Sequence, residues 1–199
     1  EARESDYVDK ASGVSARMAI SYLETVYSTV EMRAAMNGEE QATARIGDLF
    51  QGLTALTGKI ELVYKGEQEG ITNVALHLIG RAVKHVFNSQ FIPGYKRGKE
   101  RKIDMSDFQP IVEWFEKGNV VEFETSMSEK EYRKILDSVA GLGDLVKKLA
   151  NPKSDAEKYL LMEFVIDGMH QNFQLTKRLV DARIRYTDAV SYMMNDLPD

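Results

Sequence analysis

Apolar residues recur at three- and four-residue steps along most of this 199-residue chain, the period of helices that turn one face to a core. Between Ser12 and Asn37 the set is Val14, Met18, Leu23, Val26, Tyr27 and Val30, with Ser12 placed to cap the helix and Gly38 to stop it. Ile46 to Leu56 repeats the pattern through Leu49, Phe50, Leu53 and Leu56. The polar stretch 59–69, broken by Gly66, reads as a connector. Gly70 to Phe91 carries Val74, Leu78, Ala82, Val83 and Val86 and ends at Pro93-Gly94, where a backbone donor is lost. A charged loop follows, and Asp104 or Ser106 caps a short helix holding Ile111, Val112 and Phe115, stopped by Gly118.

Val120 to Phe123 admits a short extended piece. Ser128 and Glu131 have the spacing of a reciprocal N-terminal cap, opening a helix from Tyr132 to Leu149 that Asn151-Pro152 closes. Ser154 and Glu157 repeat that spacing. The apolar set that follows, from Tyr159 to Phe173, runs on through Leu175, Leu179, Ile184, Val190 and Met193 as one long helix or two. Alternating strand patterns and Asn-Gly turns are nearly absent, so the expected class is all-α, a helical bundle. Its expected units are residues 1–92, a charged linker 93–103 and a second helical unit 104–199, with no internal repeat.

The chain is 43% hydrophobic and 29% charged, enough to fill a core. Its net charge of −5 lacks the positive field that nucleic acid or an anionic membrane would demand. Without cysteine there is no disulfide or thiolate chemistry. No apolar run approaches the roughly 20 residues that span a bilayer, so the expectation is a soluble, cytoplasmic protein. The first residue is Glu1 and a polar, helix-like stretch follows at once, which reads as part of a longer protein.

Gly52-Leu-Thr-Ala-Leu-Thr-Gly58-Lys59-Ile60 approaches a phosphate-binding loop and fails twice. Five residues separate the glycines instead of four, and Ile60 stands where a hydroxyl must reach magnesium. Gly58 is therefore expected to end a helix. Lys96-Arg97-Gly98-Lys99-Glu100-Arg101-Lys102, beside Tyr95, could track a phosphate backbone but reads more simply as a solvated connector. The three histidines are His77, His85 and His170. His77 and His85 lie eight residues apart, about 12 Å along a helix, too far for one ion, so no metal site is expected. Glu61, Glu67 and Glu69 read as solvated carboxylates.

One segment is more specific. Ser12-Gly13-Val14-Ser15-Ala16-Arg17, heading a helix that continues Met18-Ala19-Ile20-Ser21-Tyr22-Leu23-Glu24, resembles the second sensor motif of AAA+ ATPases of the magnesium-chelatase subunit I and MoxR-like group. The stretch from Leu53 to Gly70 is similar to the region after the lid helices in long bacterial members of that group. The resemblance covers about residues 1–92, and the rest of the chain carries none. It implies a lid-like helical domain, with Arg17 as the sensor that contacts bound nucleotide. It implies ATP and magnesium for the full-length parent and none for this chain alone. It implies as partners the AAA+ core of the same chain, neighbouring ring subunits, and a von Willebrand A domain protein.

The phosphate-binding loop, the apolar strand ending in Asp-Glu and the strand-helix core are absent from these residues, so the chain is expected to be non-catalytic while its parent is an ATPase. The alternative is a freestanding helical interaction module that accepts a partner helix or peptide. A small-ligand-binding bundle or enzyme ranks last, for want of convergent polar groups.

Overall fold

The computed structural model describes every residue except 12, 13, 99–103, 181 and 190–199. Among the described residues there are eight α-helices and three β-strands, so the chain is mostly helical. It divides into two compact units, Glu1–Ala82 and Val83 onward.

The first unit is built on α1 (Met18–Asn37), α2 (Ile46–Gln51), α3 (Tyr64–Glu69) and the opening turns of α4 (Ile71–Phe91). α1 starts later than its apolar period suggests. The backbone of Val14 bridges Ile60 antiparallel and Ser15 N–H donates to Lys59 O (3.1 Å), which draws these residues into extended pairing. Arg17 stands at the N-cap, and the expected cap Ser12 lies outside the described residues. Gly38 ends α1 as expected, with φ at +67°.

Val26, Val30 and Ala34 of α1 pack in a core with Ile46, Leu56 and Ile60. Between α1 and α2 the Arg33 guanidinium pairs with buried Asp48 and also donates to Thr43 O (2.7 Å). The second Asp48 oxygen accepts the Arg45 N–H (2.7 Å) and so caps α2. Tyr64–Glu69, expected as a connector, forms a helix. Its Gly66 lies so close to Tyr7 that a Cβ would come within 2.3 Å of the Tyr7 carbonyl oxygen.

The second unit contains the last turns of α4, α5 (Gln109–Glu116), β1 (Val121–Glu124), α6 (Glu129–Asp137), α7 (Leu142–Ala150), α8 (Asp155–Gln171), β2 (Leu175–Val180) and β3 (Arg183–Asp188). The reciprocal cap of α6 forms, with Ser128 Oγ accepting the Glu131 N–H and Glu131 reaching back to Ser128 N–H. The helix expected from Tyr132 to Leu149 is two helices, because Gly141 adopts φ +80° between them.

The expected all-α class requires one correction. Beyond Gln171 the chain makes an antiparallel hairpin, and β1 joins it in the order β1-β3-β2. The residues read as helical at 175–188 obey a second period: Ile184, Tyr186 and Asp188 are buried, while Arg183 and Arg185 are exposed. Leu175 and Leu179 are four apart and so satisfy a helical period equally. Val121 and Phe123, the expected extended piece, are the buried residues of β1. A cluster of Phe87, Phe91 and Phe108, with ring centroids 5.4 and 5.5 Å from Phe87, fills the centre of this unit.

Candidate functional site

Two places in the molecule concentrate chemistry. The first is the head of α1, where Ser15 Oγ accepts the Arg17 N–H (3.3 Å) and Arg17 O receives the Ser21 N–H (3.0 Å). The backbone of Arg17 is therefore held while its side chain is exposed, and its guanidinium makes no ion pair among the described residues. Arg17, Ile20, Leu23 and Tyr27 follow at steps of three, three and four, so they share one stripe of the helix. The last three are each more than half exposed. A lone guanidinium of this kind can meet one anionic oxygen or a bidentate pair of them, and these residues hold no second cation or amide cradle to complete a nucleotide site.

The near-miss phosphate loop does other work. Lys59 Nζ donates to Ala55 O (3.1 Å), Gly58 takes φ +71° at the end of the turn, and Gly52 lies against the Tyr22 ring, where a Cβ would come within 2.7 Å. Tyr22 in turn donates to Leu49 O (2.6 Å), and burial pushes its hydroxyl up to about 12.

The second place was not anticipated. α8 carries Glu163 and Asp167 one turn apart, both fully buried. The Tyr132 hydroxyl of α6 donates to Glu163 (2.8 Å), with Tyr159 O also within reach of the same hydrogen (3.2 Å). Asp167 Oδ1 accepts Tyr186 of β3 (2.7 Å) and Lys177 of β2 (2.6 Å), while Asp167 Oδ2 has no hydrogen-bond partner among the described residues. Burial, with Asp167 and Glu163 nearby, holds the Tyr186 hydroxyl well above its ordinary range, so it stays a donor.

One turn further on, His170 Nδ1 meets Leu175 O (3.1 Å) at the start of β2, and burial lowers the affinity of its ring for a proton. The network ties the hairpin to α8. Its two carboxylates and both tyrosines, Tyr132 and Tyr186, are buried, while Lys177 and His170 are partly exposed. The available sequence signal is a pair of carboxylates at i and i+4 inside the run Leu160-Leu-Met-Glu-Phe-Val-Ile-Asp-Gly-Met169, otherwise apolar.

His77 lies edge-on to Tyr7 at 6.1 Å, and His85 faces Tyr95 at 5.9 Å. No group of three His, Asp or Glu side chains able to hold a metal ion occurs among the described residues. Lys96 and Arg97 are exposed, and the rest of that basic run, from Lys99, lies outside the described residues. No helix among the described residues is long and apolar enough to cross a membrane. Comparison with protein families, with characterised proteins and with solved structures finds nothing that matches this chain.

Proposed function

We propose that the chain is the non-catalytic helical lid and accessory region of a cytoplasmic AAA+ ATPase of the magnesium-chelatase and MoxR-like group, coupling nucleotide state to ring assembly or partner remodelling. The observation that carries this reading is the stripe on α1: an exposed arginine without an ion pair among the described residues heads a line of exposed Ile20, Leu23 and Tyr27. A helix that leaves such a line uncovered is built to lie on something else. If the line packs on a nucleotide-binding core, Arg17 is delivered to its edge, where a charge-assisted bond to the γ-phosphate of magnesium-bound ATP ties lid position to nucleotide state. Neighbouring ring subunits, or a von Willebrand A domain partner, would then respond to that position.

The test is ATP turnover by the protein that joins these residues to a nucleotide-binding core. Arg17→Ala should lower turnover about 10- to 100-fold, the worth of one lost hydrogen bond to a charged group, with the helical circular dichroism unchanged. Unaltered turnover removes Arg17 from the mechanism. A coding sequence without a phosphate-binding loop removes the whole reading and leaves the freestanding interaction module, which draws on the same exposed stripe.

A further inference from the structure

The chain contains one Asn-Gly pair, Asn37-Gly38, and the fold sets it at the end of α1 instead of in a hairpin turn. Asparagine followed by glycine carries its own nucleophile. The backbone nitrogen of the glycine can attack the asparagine side-chain carbonyl, because no Cβ on the glycine obstructs the approach. Both residues are exposed, and a Cβ built on Gly38 would meet no heavy atom within 4 Å among the described residues.

Two contacts restrain the reaction. The Gly38 N–H is directed at Ala34 O and Ala35 O (3.3 Å to the latter), and the nitrogen must shed that hydrogen to attack. The Asn37 amide nitrogen, the group that must leave, donates to Arg33 O (2.9 Å). Both contacts lie in the last turn of the helix, which Glu39 N–H closes by bonding to Ala34 O (2.9 Å). A terminal turn opens far more readily than a packed core. Ring closure therefore waits on this turn, without requiring that Val26 and Val30 leave the core.

We propose that Asn37 is a site of spontaneous deamidation in the folded chain, gated by opening of the last turn of α1, and that the acid it leaves weakens that turn. The Gly38 nitrogen loses its proton to hydroxide and bonds to Asn37 Cγ. The Cγ–Nδ2 bond breaks and ammonia leaves with a proton taken from water, giving a cyclic succinimide. Water then adds to either ring carbonyl and the corresponding C–N bond breaks. One direction yields aspartate, and the other yields isoaspartate, whose main chain runs through the side-chain carbon. The net reaction consumes water and releases ammonia.

The product alters this end of α1. The donor to Arg33 O is lost, because a carboxylate only accepts. A negative charge arrives at a helix C-terminus, where the macrodipole is already negative. Arg33 also pairs with Asp48 and donates to Thr43 O, so the join of α1 to α2 adjoins the lesion.

The test incubates the whole native chain at mildly alkaline pH, with anion exchange and mass-spectrometric peptide mapping at intervals. A more acidic species should accumulate, its Asn37 peptide changed from amide to a mixture of aspartate and isoaspartate ahead of every other asparagine. The rate should rise with pH and be about tenfold higher in guanidinium chloride, where no turn has to open. Asn37→Gln, which would need a larger ring, should abolish conversion at this position. In Asn37→Asp, hydrogen exchange at the Gly38 and Glu39 amides should be faster than in the parent chain.

Four results overturn the proposal. They are an Asn37 amide that persists in the native chain while converting in denaturant, another asparagine that converts first in the native chain, equal rates in the two conditions, and unchanged exchange in Asn37→Asp.

Discussion

Replacing Lys177 with methionine tests the buried network of the second unit directly. The Lys177 ammonium sits 2.6 Å from Asp167 Oδ1, and Asp167 is fully buried on α8. Methionine keeps the aliphatic stem and removes the charge, so the carboxylate is left with the Tyr186 hydroxyl at 2.7 Å and a bare second oxygen. Breaking one side of a buried pair in this way costs about 3–5 kcal/mol, most of it the uncompensated charge.

Because the penalty belongs to the charge, Asp167→Asn in the Lys177→Met background should restore at least half of the loss. The amide oxygen still accepts from Tyr186 and carries no charge to desolvate. The chain has one tryptophan, Trp114, on α5 of the same unit, so its fluorescence during urea unfolding reports on that unit. A Lys177→Met loss below about 1 kcal/mol, in the range of an exposed pair, or an Asn substitution that adds to the loss instead of relieving it, would refute the reasoning.

Three further outcomes are expected. Gly168→Ala gains helix propensity but sets a Cβ 2.1 Å from the Phe87 ring, which is packed among Phe91, Phe108 and Phe164; a net loss of about 1–3 kcal/mol should appear in the same Trp114 transition. Ser128→Ala removes one half of the α6 cap and should cost about 1 kcal/mol, read as a lower urea midpoint with an unchanged slope. Burial lowers the His170 pKa from its ordinary 6.5, so the folded state binds fewer protons than the unfolded state. Stability is therefore full above that value and falls as pH drops below it, and His170→Gln should flatten this part of a pH series of urea midpoints.

The helices were legible where local chemistry decides them. Gly38 after α1, Ser128 before α6 and Ser154 before α8 act within a few residues, and each does what its type implies. The hairpin was illegible because its deciding partners are distant in sequence. Leu175 and Leu179 suit a helix as well as a strand. What favours the strand is that Lys177 and Tyr186 converge on Asp167, and no local period encodes a buried acid awaiting them. The same reason hid the network itself: Glu163 and Asp167 are ordinary helix residues until Tyr132, Tyr186 and Lys177 are brought over them. The exposure of Arg17 follows from its place at the end of α1, outside the buried run of Val26, Val30 and Ala34.

The order of the small sheet also bears on how the second unit comes together in time. The links from Asp167 to Lys177 and Tyr186 close loops of 10 and 19 residues, whereas Arg183 reaches Glu122 of β1 across 61. Short loops close at lower entropic cost and sooner. α8 and its hairpin should thus assemble as an early nucleus, with β1 arriving late onto an exposed flank of β3. Mutations in β1 should speed unfolding while sparing the refolding rate, and mutations at Asp167 should slow refolding.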